Sequence, residues 1–321
     1  MLRLPRLRYL RPGSVQEAAR MAAELGPGAM LVAGGTDLFP KLKRRQFEPD
    51  TLIGLSHLAE LRRRDGPRLG ALVTLAEAAQ TSPHPGYSEA CGLVSSPPLR
   101  NAGTIGGNLC VDTRCNYYDM TYEWRRSIGF CLKKDGDICL VAPSSPRCWA
   151  VASSDTAPMA IALGAVVTLA APEGQRELPA TGLYRDDGID YLAKRPEEVL
   201  TTVTLPPPDP HLRSTYVKLR RRGSIDFPIA GVGVAARMDG GIVEWARIVM
   251  SGVGSHPVPA PAADALLAGR PLDPDSIAAA AELAAKPAKP LDNTDLTHFW
   301  RKRMVRVMVE EALVRIATPA T

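Results

Sequence analysis

Long apolar runs are missing from this chain of 321 residues. No segment approaches the roughly 18 uninterrupted apolar residues of a spanning helix, and the N-terminus, with Arg3, Arg6 and Arg8, has no continuous apolar core before Pro12. Neither a membrane span nor a signal peptide is expected, and a cytoplasmic location follows. Aromatics are sparse at 5%, and charge of one sign is not concentrated: the net charge is +5, and the basic residues fall in many short groups with no stripe of interleaved aromatics. Nucleic-acid binding is therefore not expected. The five histidines, His57, His84, His211, His256 and His298, show no metal-ligand spacing. A nucleophile elbow and a Ser/His/Asp constellation are missing too, which disfavours covalent hydrolysis. Repeats and low-complexity tracts are absent.

The length exceeds one typical core and implies about two or three packed units. Ser14 caps a helical spacing of Val15, Ala18, Ala19, Ala22 and Leu25, which Gly26 and Pro27 close. A strand over residues 29–33 runs into Gly34, Gly35, Thr36 and Asp37, and helical character resumes over 38–45 with Lys41, Lys43, Arg44 and Arg45 toward its end. Strand, glycine turn and helix start form a phosphate cradle, because glycine lets backbone approach an anion and the unpaired amides of a helix start point at it. A tight turn with no ligand is the alternative. A second glycine loop, RNAGTIGGNL at 100–109, frees the backbone at Gly103, Gly106 and Gly107 and offers Thr104 and Asn108 as short polar side chains. Its spacing is not that of a Rossmann turn. Two such loops far apart in sequence suit one extended dinucleotide gripped from both sides.

Nothing points to an oxidising compartment for the six cysteines, so reduced thiols are expected. Four of them, Cys115, Cys131, Cys139 and Cys148, lie 16, 8 and 9 positions apart in one stretch. Four thiolates are the ligand set of an iron–sulfur cluster or a structural zinc. Structural zinc usually takes cysteines as two close pairs, and here no pair is closer than 8 residues, so the wide, loop-borne set favours a cubane cluster over zinc or unliganded thiols. Tyr117, Tyr118, Tyr122, Trp124, Phe130 and Trp149 crowd the same stretch. They suit either shielding of a cluster or a small core for the stretch itself. Arg125, Arg126, Lys133 and Lys134 offer either a docking surface for an acidic electron carrier or a solvated loop. Cys91 and Cys110 are assigned no role.

LVAGGTDL at 31–38, NAGTIGGNL at 101–109 and ASSDTAP at 152–158 together resemble the flavin-binding subunits of the molybdenum hydroxylases, the family of xanthine and carbon monoxide dehydrogenases. The resemblance covers nearly the whole chain. It implies an α+β fold: a two-part FAD-binding domain of PCMH type over residues 1–209 (1–56 and 57–209) with a cysteine-bearing insertion at 110–150, then a C-terminal domain of CO dehydrogenase flavoprotein type over 210–321. It implies FAD contacts at Leu31, Val32, Ala33, Gly34, Gly35, Thr36, Asp37 and Leu38 around the pyrophosphate, and at Asn101, Thr104, Gly106, Gly107 and Asn108 in the second loop. Asp155 would lie near the ribose or phosphate end, and Leu200 and Lys218 are further single-residue matches. In most of the family the second loop runs almost directly into the serine–aspartate segment, whereas here Thr104 and Asp155 are 51 positions apart. A flavin subunit with such an insertion resembles the β subunits of the 4-hydroxybenzoyl-CoA reductases, whose inserted loop binds a 4Fe-4S cluster. Cys115, Cys131, Cys139 and Cys148 carry over as its ligands.

Past Asp155, residues 160–170 turn apolar and β-branched, and the prolines at 206, 207, 208 and 210 mark the clearest boundary. Strands are expected over 215–220, 229–237 and 242–251, a three-stranded antiparallel sheet, with helices over 275–286 and 294–316. In the last helix Leu296, Phe299, Trp300, Val307, Met308 and Leu313 are expected on an apolar face, with Arg301, Lys302 and Arg303 elsewhere.

These residues describe an electron relay, because FAD passes electrons singly or in pairs, an iron–sulfur cluster passes one, and neither needs acid–base groups from this chain. No catalytic residue is assigned. By the resemblance, a molybdenum-cofactor subunit and a 2Fe-2S subunit complete an αβγ assembly or its dimer. Ferredoxin is then the electron donor, and 4-hydroxybenzoyl-CoA is dehydroxylated to benzoyl-CoA on the molybdenum subunit, in anaerobic aromatic degradation. Two readings compete: the same fold serving oxidation of an aldehyde, purine, pyridine or carbon monoxide, and a zinc-stabilised structural subunit with an empty flavin site.

Overall fold

The computed structural model describes residues 3–318. The Ser14 side chain accepts from the Glu17 amide and starts the helix Val15–Leu25, whose Val15, Ala18, Ala19 and Ala22 are buried as their spacing requires. On one side of it lies a parallel three-stranded sheet in the order Arg8–Leu10, Thr51–Gly54, Ala29–Val32. A second, antiparallel sheet follows, in the order Arg64–Asp65, Arg68–Gly70, Val199–Thr204, Val166–Ala171, Gly174–Pro179. Ala170 and Val199 of this sheet join Val15, Ala18, Ile53 and Leu55 in one buried cluster, so the helix and both sheets share a core.

The C-terminal sheet differs from expectation. It has four strands, Val258–Pro259, Ile242–Ser251, Ala230–Asp239 and Leu212–Leu219, all antiparallel. The two-residue edge strand leads into a helix, Pro261–Leu267, that the sequence pattern had not marked. The helix His298–Ala317 covers one face of this sheet, with Val305, Met308, Val309, Ala312 and Leu313 packed onto Val232, Val234 and Ile248, and the helix Pro274–Ala285 packs against it.

Two further expectations are corrected. Residues 160–170 are not one apolar strand: the helix Thr156–Ala162, every residue of it buried, comes first, and the strand begins at Val166. In the last helix the expected faces exchange members. Phe299 is 77% exposed, and Trp300 and Val307 are exposed as well, whereas Arg301 is wholly buried. Its guanidinium donates to the carbonyl of Leu291 at 2.8 Å and also reaches those of Ile229 and Gly252, stitching the helix to loops at the end of the sheet. A residue that closes three carbonyls belongs inside however charged it is. Among the described residues, no helix is long and apolar enough to cross a membrane.

Candidate functional site

The first glycine loop leaves the parallel sheet at Val32, and Gly35 takes a left-handed backbone with φ of +71°. None of the amides from Gly34 to Asp37 donates to another group among the described residues, so four N–H groups are left for a ligand. The second loop packs directly on the first. A Cβ added to Gly34 would stand 1.9 Å from the carbonyl oxygen of Ala102, a contact only glycine permits. Thr104 then caps the short helix Ile105–Leu109 by accepting from the Gly107 amide at 3.1 Å. Asn108 joins this loop to the serine–aspartate segment, its side-chain oxygen accepting from Ser154 and Thr156 hydroxyls at 2.8 Å each and from the Thr156 amide at 3.1 Å.

Between these loops runs a cleft of about 610 Å³, ample for a dinucleotide-sized ligand. It is lined by all eight residues Leu31 to Leu38, by Thr104, Gly106, Gly107 and Asn108, and by Asp155 and Leu200. Two expected contacts stand apart. Asn101 is exposed on the helix Pro97–Ala102 and is not among the lining residues. Lys218 lies behind the wall, where its ammonium donates to Asp155 at 3.0 Å and to the Leu93 carbonyl at 3.0 Å. Tyr216 donates to the other Asp155 oxygen at 2.8 Å. Burial holds the Asp155 carboxyl above its ordinary range and the Lys218 ammonium below its own, each opposed by the partner's charge. Lys218 therefore fixes Asp155 at the edge of the cleft. The lining also includes Lys41, Asp112, Arg114, Tyr191 and Phe227, none of which carries a sequence signal beyond its type.

The four spaced cysteines converge. Cys115, Cys131, Cys139 and Cys148 are buried, 5 to 7% exposed, and line one small cavity with Tyr117, Tyr118, Leu132 and Lys133. None is in a disulfide. Backbone amides point at two of the sulfurs: Ala150 donates to Cys148 Sγ at 3.3 Å, and Tyr117 to Cys115. Burial pushes the Cys115 thiol up to about 12 and the Cys148 thiol up to about 11, each partly offset by its amide donor. Among the described residues, no three His, Cys, Asp or Glu side chains stand close enough to share a single metal ion. The stretch around the cysteines has little regular structure, only the helix Tyr122–Ser127, and polar struts fix it. Arg125, 1% exposed, donates to the carbonyls of Arg44 and Arg45 at 2.9 Å each. Gln46 donates to the Tyr118 carbonyl at 2.7 Å, and Asn293 donates to that of Trp149 at 2.6 Å. A docking surface made of Arg125 and Lys133 is thereby excluded, because both are internal.

Residues 5–208 match the family described as the FAD binding domain in molybdopterin dehydrogenase, and residues 214–316 match the CO dehydrogenase flavoprotein C-terminal domain. The chain belongs to this family of FAD-binding molybdopterin dehydrogenase subunits. Like it are the carbon monoxide dehydrogenase medium chain of Hydrogenophaga pseudoflava, 27% identical over 318 residues and 96% of both chains, and the aldehyde oxidoreductase FAD-binding subunit PaoB of Escherichia coli K12, 33% identical over 281 residues covering 81% of this chain and 85% of that one. The solved carbon monoxide dehydrogenase from H. pseudoflava aligns with a TM-score of 0.81 over 98% of both chains at 27% identity. The four-cysteine cavity lies within the residues of the first match.

Proposed function

We propose that this chain is the FAD- and 4Fe-4S-carrying electron-transfer subunit of a molybdenum enzyme of the 4-hydroxybenzoyl-CoA reductase kind. In that assembly, ferredoxin supplies electrons, and a molybdenum-cofactor subunit and a 2Fe-2S subunit receive them, in the cytoplasm. The observation that carries it is the convergence of four buried, unpaired thiols on one cavity next to the flavin cleft. A single zinc would draw its sulfurs to about 2.3 Å from one centre, whereas four irons in a cube hold theirs farther apart. The four thiols line one common cavity and none is in a disulfide, which leaves the whole set available to one shared group.

When bound, FAD and the cluster supply one- and two-electron chemistry. The chain's own work is to hold them. The free amides from Gly34 to Asp37 and the loop capped by Thr104 bind the flavin's pyrophosphate, Asn108 keeps the second loop against the serine–aspartate segment, and Lys218 orients Asp155. The four cysteines ligate the cluster, and the amides of Ala150 and Tyr117 steady the sulfurs. No side chain here is required to touch the substrate.

A second reading keeps the same subunit in an oxidative enzyme. The full-length similarity to carbon monoxide dehydrogenase medium chains favours it. The experiment is metal, sulfide and flavin content of the anaerobically purified protein, with EPR after dithionite. About four iron per FAD and a reduced-cubane signal lost in Cys131→Ser are expected. Zinc, or no metal with FAD present, would overturn the cluster assignment. Turnover of 4-hydroxybenzoyl-CoA by the assembled enzyme with reduced ferredoxin, and its failure with carbon monoxide or aldehydes, separates the two readings.

A further inference from the structure

One buried carboxylate stands between the flavin cleft and the sulfur cavity, with two ammonium groups on it. Asp112 is 2.9 Å from Lys41 Nζ and 2.8 Å from Lys133 Nζ, and it accepts from the Tyr118 hydroxyl at 3.0 Å. The side chains of Lys41, Asp112 and Lys133 are 2, 3 and 6% exposed. Asp112 and Lys41 line the cleft, whereas Lys133 and Tyr118 line the sulfur cavity. The two ammonium groups lie 4.7 and 4.9 Å from the centre of the Tyr118 ring. Asp119, 3.6 Å from Lys41, is shared with Arg114 at 3.2 Å, and Asp37 faces the same charges, so three cations face three carboxylates. Burial pushes the Asp112 carboxyl up, and the two lysines more than reverse this, so it stays charged.

Ions this deep are costly unless the arrangement serves something besides stability. We propose that Asp112 is a positioning residue that couples the two cavities: it holds Lys41 on the flavin side and Lys133 on the sulfur side, and these charges set how readily each site takes up an electron. The inference rests on the cluster reading above. Reduction adds negative charge to either site, and a fixed cation in the wall of a dry interior favours the reduced form and raises the potential. The shared carboxylate offsets both cations at once.

The test is a redox titration of the complete assembly, with the cluster followed by EPR and the flavin by absorbance, and with iron, sulfide and FAD measured on every sample. Lys133→Met is expected to lower the cluster potential and leave the flavin's in place. Lys41→Met is expected to do the reverse, and Asp112→Asn to raise both. Should Asp112→Asn fail to fold, the two lysine variants decide. Iron- and FAD-replete variants whose potentials do not move, or in which each lysine moves both sites equally, overturn the coupling alone. A wild-type protein without iron overturns the cluster reading and the coupling with it.

Discussion

A Cβ at Gly188 would stand 2.7 Å from Cys148 Sγ and 2.7 Å from the Ala150 nitrogen. The first is a proposed ligand atom, and the second is backbone that also donates to that sulfur. Gly188→Ala is therefore expected to lose most of its iron while keeping its FAD. Iron and flavin per chain, measured together, check this, and full iron content in the variant would remove the ligand role from Cys148. Residues of this kind divide by how they can be recognised. That the cysteines would come together and the glycine loops would meet was legible in residue type and spacing, because grouped thiols stand out in a sequence and only glycine lets one loop pack backbone to backbone on another. Lys41, Asp112, Arg125 and Lys133 were not. Charged side chains ordinarily mark a solvated face, and only tertiary placement shows these four side chains at 6% exposure or less.

The helix Pro261–Leu267 carries a titratable group into the C-terminal sheet. The Asp264 carboxylate accepts from the Ile248 amide at 2.9 Å, yet burial pushes its carboxyl from 3.8 up to about 7. The folded protein then binds this proton more tightly than the unfolded chain does, so the contribution is complete below about pH 4 and is lost as pH rises through 7. Asp264→Asn, which keeps an acceptor for Ile248 and carries no charge, is expected to melt a few degrees above wild type at pH 8. The gap should close toward pH 4; a gap of equal size at both pH values would contradict it. The group is partly solvated, so the effect stays small. The elements themselves were read to different depths. Val15–Leu25 showed its cap and one buried face, and Ile242–Ser251 its strand character, at the residues found. The helix Thr156–Ala162 did not, because a helix buried all round has no polar face to give it a period. Phe299 and Trp300 misled for the opposite reason: apolar character alone does not decide which face is covered, and Arg301 won that face by closing three carbonyls.

Across the whole molecule, the flavin cleft draws its walls from residues 22–55, 61–114 and 155–227, segments that meet only in the folded chain. A ligand held by all of them binds the folded state and not the unfolded one. FAD at about 100 times its dissociation constant is expected to stabilise the protein by about 2.7 kcal/mol. Thermal melts of flavin-stripped protein with and without added FAD check this, with absorbance confirming rebinding; an unchanged melting temperature with FAD rebound would mean that binding does not require the folded cleft. The four-cysteine stretch stands differently in the fold. Arg114 and Val151 exchange backbone hydrogen bonds at 2.9 and 2.7 Å, so residues 115–150 leave and rejoin the chain at one point. A turn of about two residues between Arg114 and Val151 would therefore close the chain without that stretch. The stretch, and whatever group it holds, can thus be gained or lost in one genetic step without any change to the glycine loops.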